Sequence, residues 1–342
     1  MSSRTAYVVR ALPTAAEREL SATGHSPRFE IDAAVESGLA ERLSLPSSRL
    51  GQIGAATALL RGSRDRFDRF ITTGEDIGIP LALASLPLRS SRKLHIVFHG
   101  HFIGGRKFDA VIRVLRRMRH VHWHPLSAAL GTALVDRFGV PAARVHPTGY
   151  AVDTDFFRPG VQPPSTVVSA GLARRDYRTL VNAVVGLQVP VRIAAGSTWF
   201  EETVNVDVAT LPPHIELRSQ GDYLNLRALY ETAFFVVVPM QNVQHACGYA
   251  VIAEAMAMGR AVIATRTGAV SDFVVDGETG FLVDPGNVAE LHHAIRRLLD
   301  DPALAKQLGA NARRRMEEHF TLRDFTRRMA EALREDGAAG GD

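Results

Sequence analysis

Four short segments of this 342-residue chain carry groups suited to binding an anion, and each follows an apolar run typical of a buried strand. They combine arginines or histidines with small residues, so cationic side chains and accessible backbone N–H groups occur together. Where parallel strands end, such groups meet at one edge of a sheet and bind negatively charged ligands. The segments are HGH at 99–101, GLARR at 171–175, QNVQHACG at 241–248 and TRTG at 265–268.

A lone carboxylate lies just beyond the third segment. Gly248 and Gly259 bound an alanine- and methionine-rich run that predicts a helix, and Glu254 is its only charged residue. Apolar neighbours such as Ile252 and Met256 disfavour the alternative of a surface glutamate on an amphipathic helix. A carboxylate buried there needs hydrogen-bond donors, and a sugar hydroxyl would supply one.

Two adjacent arginines, Arg174 and Arg175, follow the apolar run at 166–171. Guanidinium groups bind phosphate oxygens in pairs, so a ligand phosphate would explain two cations at the start of a helix. The alternative, two solvated arginines, is weaker because cations are unfavourable at a helix N-terminus unless an anion joins them. The nearby pair Asp153 and Asp155 has metal-binding spacing, but its place among prolines and glycines favours a turn. No metal site is predicted.

The composition excludes several classes of protein. The apolar share of 46% and the charged share of 22% are typical of a globular protein, and no apolar run approaches the ~20 residues that span a bilayer. The single cysteine, Cys247, excludes an intrachain disulfide and fits a reducing cytosol. A net charge of +4, without zinc spacing or an aromatic-basic pattern, argues against nucleic acid as a partner. We therefore expect a cytoplasmic protein.

The second half of the chain alternates between strand and helix patterns, which is typical of a doubly wound parallel sheet. Strands are predicted at 166–171, 189–195, 234–239 and 261–265, and helices at 177–185, 225–233, 249–258, 288–300 and 301–319. The first half is less regular, with strands predicted at 70–73 and 94–98 and helices at 53–60 and 111–118. Residues 1–46 show no clear order.

A basic segment at 107–119 places its apolar residues on one helical face and its cations on the remainder. The pattern fits a helix lying on anionic lipid, which would make the protein peripheral at the inner membrane face. It also fits a helix packed by its apolar side with its arginines in water. The narrow apolar stripe favours the packed helix, so peripheral membrane contact is the less favoured alternative.

The stretch 234–285 resembles the donor-binding half of the family-four glycosyltransferases, which are retaining enzymes with the GT-B fold that use nucleotide-sugars. The family pattern Glu-Ala-Met-Ala-x-Gly-x-Pro-Val-Ile-Ala is matched by EAMAMGRAVIA at 254–264. The downstream pattern of glycines, acids and valine is matched by Gly268, Asp272, Val274, Asp276, Gly277 and Gly280. The chain departs from the family at Ala246, where the first glutamate of the Glu-x7-Glu motif would stand.

The resemblance implies an α/β fold of the GT-B type, with two Rossmann-like domains whose parallel sheets face each other across a cleft. It implies an N-terminal acceptor-side domain at 1–147, a crossover at 148–163 and a C-terminal nucleotide-sugar-binding domain at 164–320. A last helix at 321–336, suggested by the spacing of its apolar residues, would pack back toward the first domain. Residues 337–342, which read GAAGGD, would form a disordered tail.

The resemblance also implies roles for the residues singled out above. Glu254 would accept hydrogen bonds from the nucleotide ribose, and Arg174 or Arg175 would hold the pyrophosphate and stabilise the leaving group. His99 would contact the donor sugar, with a packed core histidine as the alternative. Cys247 would be a donor contact too, although a small packed residue explains it better. The remaining donor contacts would come from Gly171, His245, Ala246, Gly248, Thr265 and Gly268.

The implied reaction is transfer of a sugar from a nucleoside diphosphate sugar to an acceptor hydroxyl, with retention of configuration and without a metal. No cofactor is expected beyond this co-substrate, and the acceptor (a sugar, a lipid-linked glycan or a small molecule) is left open. One alternative is a non-catalytic nucleotide-sugar-binding protein or auxiliary subunit, suggested by Ala246. Another is a nucleotide-sugar epimerase on the same fold.

Overall fold

The computed structural model describes residues 4–46, 51–90, 92–101, 103–196, 204–219, 221–242, 247–268 and 270–338. The chain forms two compact units. Unit 1 combines Met1–Glu19, Arg28–Tyr150 and Leu322–Asp342, so it is built from both ends of the chain. Unit 2 consists of Ala151–Thr321 together with the short segment Leu20–Pro27.

Unit 1 is built on a five-stranded parallel sheet in the order β2-β1-β3-β4-β5. Its strands are β1 (Thr5–Val9), β2 (Glu41–Ser44), β3 (Arg69–Thr72), β4 (Lys93–Phe98) and β5 (Val121–Pro125). Its helices are α1 (Ala15–Ala22), α2 (Glu30–Glu36), α3 (Gly51–Gly62), α4 (Glu75–Ser85), α5 (Arg106–Leu115) and α6 (Ala128–Thr132). A π-helical turn at Ala133–Arg137 and a 3-10 turn at Ala142–Arg144 follow.

Unit 2 is built on a six-stranded parallel sheet in the order β11-β10-β9-β6-β7-β8. Its strands are β6 (Thr166–Ala170), β7 (Val191–Ala194), β8 (Ile215–Arg218), β9 (Ala233–Val238), β10 (Ala261–Thr265) and β11 (Gly280–Val283). Its helices are α7 (Tyr177–Ala183), α8 (Tyr223–Glu231), α9 (Tyr249–Ala257), α10 (Val288–Asp300) and α11 (Pro302–His319), and 3-10 turns lie at Val208–Thr210 and Val270–Asp272. The last helix, α12 (Leu322–Ala338), packs against α2 in unit 1.

Two parallel sheets confirm the predicted pair of Rossmann-like domains, and three predicted details are wrong. The helix predicted at 111–118 begins earlier, at Arg106, because the extended residue Gly105 caps it, and it ends at Leu115. The helix predicted at 225–233 begins at Tyr223, since the Asp222 carboxylate caps it, and Ala233 already belongs to β9. Residues 337–338, predicted to be disordered, continue α12, whereas 339–342 lie outside the described residues.

Arg313 on α11 hydrogen-bonds both to the segment 154–157 and to the end of α9. Its guanidinium Nη1 donates to the carbonyls of Thr154 and Phe157, at 3.0 and 2.7 Å, and to that of Ala257 at 2.7 Å. The nearby Asp153 carboxylate accepts from the N–H groups of Asp155 and Phe156, which is the turn role predicted for it. These bonds fix the C-terminal end of the helix that carries Glu254.

Unit 1 contains four neighbouring histidines, His95, His122, His124 and His146, which we call the histidine stack. The first three are buried and His146 is half-buried. His95 and His122 pair in register on β4 and β5, with ring centroids 4.9 Å apart. Ring nitrogens of His95 and His124 lie 2.9 Å apart, and those of His122 and His146 lie 3.1 Å apart. Three of the four histidines therefore lie within β4 and the edge strand β5, before the carboxyl ends of these strands.

Candidate functional site

Three of the loops singled out in the sequence emerge side by side from the sheet of unit 2. The strands β10, β9 and β6 are neighbours and parallel, so their carboxyl ends lie at the same edge. The loops that follow them contain Gly268, Gly248 and Gly171 respectively. This edge is where parallel sheets bind ligands.

The loop after β6 is hydrogen-bonded to the segment after β9. The N–H of Gln241 donates to the carbonyl of Arg174 at 2.9 Å, and the N–H of Asp176 donates to the carbonyl of Pro239 at 3.0 Å. The N–H of Met240 donates in turn to the Thr265 hydroxyl, 2.8 Å away, at the end of β10. These bonds join the three strand ends into one connected surface.

Arg175 is buried at the centre of this surface, with 6% of its area exposed. Its Nε donates to the carbonyl of Ala170 at 2.9 Å, and its Nη1 donates to that of Ala173 at 2.9 Å. Nη1 also lies 2.9 Å from the sulfur of Met240. The guanidinium thus stabilises the loop after β6 and still brings a positive charge to the carboxyl edge of the sheet.

Two glycines flank the Arg175 guanidinium, and their backbones exclude other residues. Gly171 has φ of 90°, and a side-chain carbon there would lie 2.5 Å from Arg175 Nη2. Gly248, which begins α9, has φ of 87°, and a side-chain carbon there would lie 3.2 Å from the Met240 sulfur and 3.7 Å from Arg175 Nη1. Such positive φ values favour glycine. The two glycines therefore allow the guanidinium to lie next to the N-terminus of α9.

Arg174 differs from its neighbour in almost every respect. Its side chain is exposed, and its backbone has φ of 54°, one of two positive values among the described non-glycine residues. A bulky residue in the left-handed region carries backbone strain, which concentrates at ligand-binding loops. The exposed guanidinium is the cation of this loop that a solvated ligand would meet first.

Glu254 is buried in the second turn of α9, with 9% of its area exposed. Its Oε2 accepts a hydrogen bond of 2.9 Å from the hydroxyl of Tyr230 on α8. Burial raises the pKa of this carboxyl to about 7, although the Tyr230 hydrogen bond and the charge of Arg175 both favour its ionised form. In the described part of the chain, the carboxylate makes no second hydrogen bond, so Oε1 is available to a ligand donor.

The sequence predicted a ligand hydroxyl as the hydrogen-bond donor to Glu254. The protein itself supplies one donor, the Tyr230 hydroxyl. Tyr230 lies 24 residues upstream on another helix, and no spacing rule links it to Glu254. Tyr177 is a second residue that the sequence did not reveal, because its hydroxyl donates to the carbonyl of Gly171. Burial raises the pKa of Tyr177 to about 12, so its hydroxyl remains a donor at neutral pH.

The other predicted donor contacts fall into three groups. Thr265 is buried and bonded to Met240, and Cys247 is a buried thiol beside Gly248. Gly268 opens onto space, since a side chain there would meet no described atom within 4 Å. The predicted contacts His245 and Ala246, with Gln244, lie outside the described residues.

His99 lies in unit 1, at the carboxyl end of β4. Its Nε2 is 2.8 Å from the carbonyl of Thr73, so this nitrogen carries a proton and Nδ1 is the acceptor in the neutral ring. The buried Glu75 carboxylate holds the loop by accepting from the N–H groups of His99 and His101, at 2.9 and 2.8 Å. His99 is therefore a half-buried, oriented side chain at the edge where this sheet would bind a ligand.

No group of three or more metal-ligating side chains with suitable geometry occurs in the described ranges. The same ranges contain no helix that is both long and apolar enough to cross a membrane. The carboxyl edge of unit 2 instead offers a buried cation, an exposed cation, a helix N-terminus and a carboxylate acceptor. Together these suit a ligand that has both phosphate and hydroxyl groups.

Comparison with known proteins finds a family that resembles the part of the chain carrying this surface. Residues 174–315 match the family "Glycosyl transferases group 1". The MMP alpha-(1->4)-mannosyltransferase of Mycolicibacterium hassiacum is 28% identical over 210 residues, which is 57% of this chain and 49% of that protein. The lipopolysaccharide core biosynthesis mannosyltransferase of Rhizobium leguminosarum is 30% identical over 131 residues, 38% of this chain and 36% of that protein. Each match thus spans less than half of the curated relative's length.

Solved structures extend the likeness to the whole chain. HepE of Anabaena, solved in complex with UDP-glucose, superposes with a TM-score of 0.72 and 18% identity, covering 97% of this chain and 99% of that one. Sucrose-phosphate synthase of Thermosynechococcus elongatus gives a TM-score of 0.72 and 18% identity over 99% of this chain and all of that one. These likenesses confirm the GT-B fold.

Proposed function

We propose that this chain, whose residues 174–315 match the family "Glycosyl transferases group 1", transfers a sugar from a nucleoside diphosphate sugar to an acceptor hydroxyl. The observation that carries the proposal is the convergence of Gly171, Arg175 and Gly248 at the carboxyl edge of the unit 2 sheet. A guanidinium beside a helix N-terminus is a site for a pyrophosphate. Glu254, in the next turn of the same helix, would accept from the ribose hydroxyls.

In the proposed reaction, the bond between the anomeric carbon and the phosphate oxygen breaks, and negative charge develops on the nucleoside diphosphate. The N–H groups at the start of α9 and the charge of Arg175 would stabilise that charge, with Arg174 closing on it from the solvent side. The departing phosphate would take the acceptor proton, and the new bond would keep the anomeric configuration. No metal takes part in this proposal.

The donor sugar would be the remaining part of the ligand to be recognised. His99, at the carboxyl edge of the unit 1 sheet, presents its Nδ1 as an acceptor for a sugar hydroxyl. Backbone N–H groups at 246–248 would replace the first glutamate of the family motif. The acceptor is left unassigned, because the family match covers only 174–315.

The experiment is calorimetric titration with nucleoside diphosphates, beginning with UDP because the Anabaena neighbour was solved with UDP-glucose. We expect one binding site on the wild type and an affinity about tenfold lower in Glu254→Gln, since an ionised acceptor hydrogen bond is worth roughly 1.5–3 kcal/mol. Glu318→Gln is a matched control, because Glu318 is an exposed glutamate on α11. Absence of binding for every nucleoside diphosphate would reject the proposal.

A second candidate, a non-catalytic nucleotide-sugar-binding protein, is favoured by one observation. Arg175 already donates to the carbonyls of Ala170 and Ala173, so part of its hydrogen-bonding capacity serves the loop. Incubating the purified protein with its nucleotide-sugar separates the two candidates. A transferase releases the nucleoside diphosphate by slow hydrolysis or transfer, whereas a binding protein releases none.

A further inference from the structure

A large share of the positive charge of this protein is concentrated in one short segment. Residues 106–119, RKFDAVIRVLRRMR, contain six basic residues and one acidic residue, a net charge of +5. The whole chain has a net charge of only +4. The rest of the molecule is therefore close to neutral, and the basic surface belongs to α5 and the turn that follows it.

The basic side chains form one face of α5, which we call the α5 face. Its exposed members are Arg106, Lys107, Arg113 and Arg117, the last in the turn just after the helix. At 100° per residue these positions fall within an arc of about 120°. The exposed residues Ala110 and Val114 lie between them, and Val114 is 53% exposed.

The opposite side of α5 packs inside unit 1. Ile112 and Leu115 are buried completely, which confirms that the helix is packed by its apolar side. The only acidic residue of the segment, Asp109, is buried too and forms a salt bridge of 2.5 Å with Arg137. Its charge is thus neutralised away from the α5 face.

Among the described residues, the cations of the α5 face have no acidic partners. Within the ranges that the structure describes, no carboxylate lies within 4.0 Å of the cationic groups of Arg106, Lys107, Arg113 or Arg117. Four exposed, like-charged side chains on one surface repel each other, and the surface is most stable when it meets negative charge. An anionic partner is therefore the expected occupant.

We propose that the α5 face binds the surface of an anionic lipid bilayer. A single helix of ten residues is about 15 Å long and presents a convex, regular row of charges, which suits a plane of lipid headgroups. Proteins that bind single-stranded nucleic acid add aromatic side chains on which bases stack. The exposed residues between the cations here are alanine and valine, which suit the headgroup boundary and not base stacking.

The binding is electrostatic, because the apolar residues that would insert into lipid are already used for packing. Each basic residue near an anionic surface contributes about 1 kcal/mol, so two charges correspond to about a 30-fold change in partitioning. Salt screens this attraction, and binding weakens as ionic strength rises. The inference rests on surface charge alone and does not depend on the nucleotide site of unit 2.

The test is co-sedimentation of the full chain with vesicles of phosphatidylcholine alone or mixed with phosphatidylglycerol. We expect salt-sensitive binding to the mixed vesicles only. The loss should be about 30-fold when two charges are removed in Arg113→Ala, Arg117→Ala, and larger when they are reversed in Arg113→Glu, Arg117→Glu. The matched control is Arg178→Glu, Arg323→Glu, which makes the same change in net charge at exposed arginines elsewhere. This control should retain binding.

Three outcomes would overturn the proposal. They are equal binding to both kinds of vesicle or to neither, equal losses in the two double variants, and binding to a single-stranded oligonucleotide with no binding to vesicles. The milder variant Arg113→Ala, Arg117→Ala covers a failure of the charge-reversed protein to fold. It should keep the melting temperature of the wild type and still lose most of the vesicle binding.

Discussion

The two units bury polar side chains in opposite ways. In unit 2 the buried groups are of opposite charge, with the Glu254 carboxylate near the Arg175 guanidinium and bonded to Tyr230. Unit 1 instead holds a cluster of like groups, the four imidazoles of the histidine stack, three of which lie on β4 and β5. The Glu254–Arg175 pair lies beyond the carboxyl ends of its strands, whereas the histidines of β4 and β5 lie within theirs.

This difference shows that position along a strand, more than residue type, separates a ligand site from internal packing. His95 and His99 lie four residues apart near the end of one strand, yet only His99 reaches the carboxyl edge. One ring nitrogen of each histidine in the stack lies within hydrogen-bond distance of another histidine of the stack. The Glu254 carboxylate instead accepts one described hydrogen bond, from Tyr230, and its burial disfavours the ionised form.

The largest expected effect is a difference in the free energy of unfolding between alanine variants of the two adjacent arginines. Arg175→Ala should lower the free energy of unfolding of unit 2 by about 3–5 kcal/mol, because it leaves two carbonyls without donors and Glu254 without a cation. Arg174→Ala should change it by less than ~0.5 kcal/mol, since that side chain is exposed. Amide hydrogen exchange of peptides from β6 and β9 measures both. Equal losses would mean that burial of Arg175 does not stabilise the loop.

Glu254 makes the stability of unit 2 depend on pH. Its pKa is raised from 4.5 to about 7, so the folded state holds a proton that the unfolded state has released between those values. The free energy of unfolding should therefore fall as pH rises through this window, by roughly 3 kcal/mol in total. Glu254→Gln should remove the fall, because an amide does not titrate. A wild-type unit 2 that is as stable at pH 8 as at pH 5 would contradict this prediction.

Tyr230→Phe tests the hydrogen bond that holds Glu254. Loss of the hydroxyl should lower the free energy of unfolding at pH 8 by about 2 kcal/mol, and by less at pH 5, where the carboxyl is protonated. It should also raise the pKa of Glu254 further, since this bond favours the ionised form. Tyr223→Phe is the control on the same helix. If both variants respond equally to pH, the Tyr230 hydrogen bond has no special effect.

The smallest effect is expected in unit 1 and has the opposite sign. Burial, together with the nearby His122, Arg144 and Lys93, lowers the pKa of His120 below 6.5, so its neutral form stabilises the fold. That stability is present above pH 6.5 and is lost as pH falls below it. Because His120 is half-exposed, we expect less than ~1 kcal/mol. Fluorescence of the buried Trp123, in a Trp199→Phe background, should report it, and His120→Gln should abolish it.

The sequence predicted the part of the fold that strong patterns define. The run FFVVV, the segment between Gly248 and Gly259 and the run AVIAT became β9, α9 and β10, because fully buried elements leave uninterrupted apolar residues. Residues 1–46 showed no such pattern. There β2 reads ERLS, a partly exposed strand at the edge of the sheet, and α2 has only seven residues.

The sequence predicted which loops form the candidate site. It did not predict the hydrogen bonds that those residues make. Arg174 and Arg175 are identical in type and adjacent, and their different burial arises from bonds to the carbonyls of Ala170 and Ala173. The hydrogen bond between Tyr230 and Glu254 joins two helices on either side of a strand. Such contacts depend on tertiary packing, which leaves no trace in local spacing.

The discontinuous make-up of unit 1 has a consequence for the order in which the protein is synthesised. A ribosome completes every residue of unit 2 by Thr321, whereas unit 1 lacks α12 until the last part of the chain emerges. The buried residues Phe325 and Met329 of α12 cover part of unit 1, so earlier nascent chains expose that apolar surface. Unit 2 should therefore be able to reach its final fold before α12 has been synthesised, whereas unit 1 cannot.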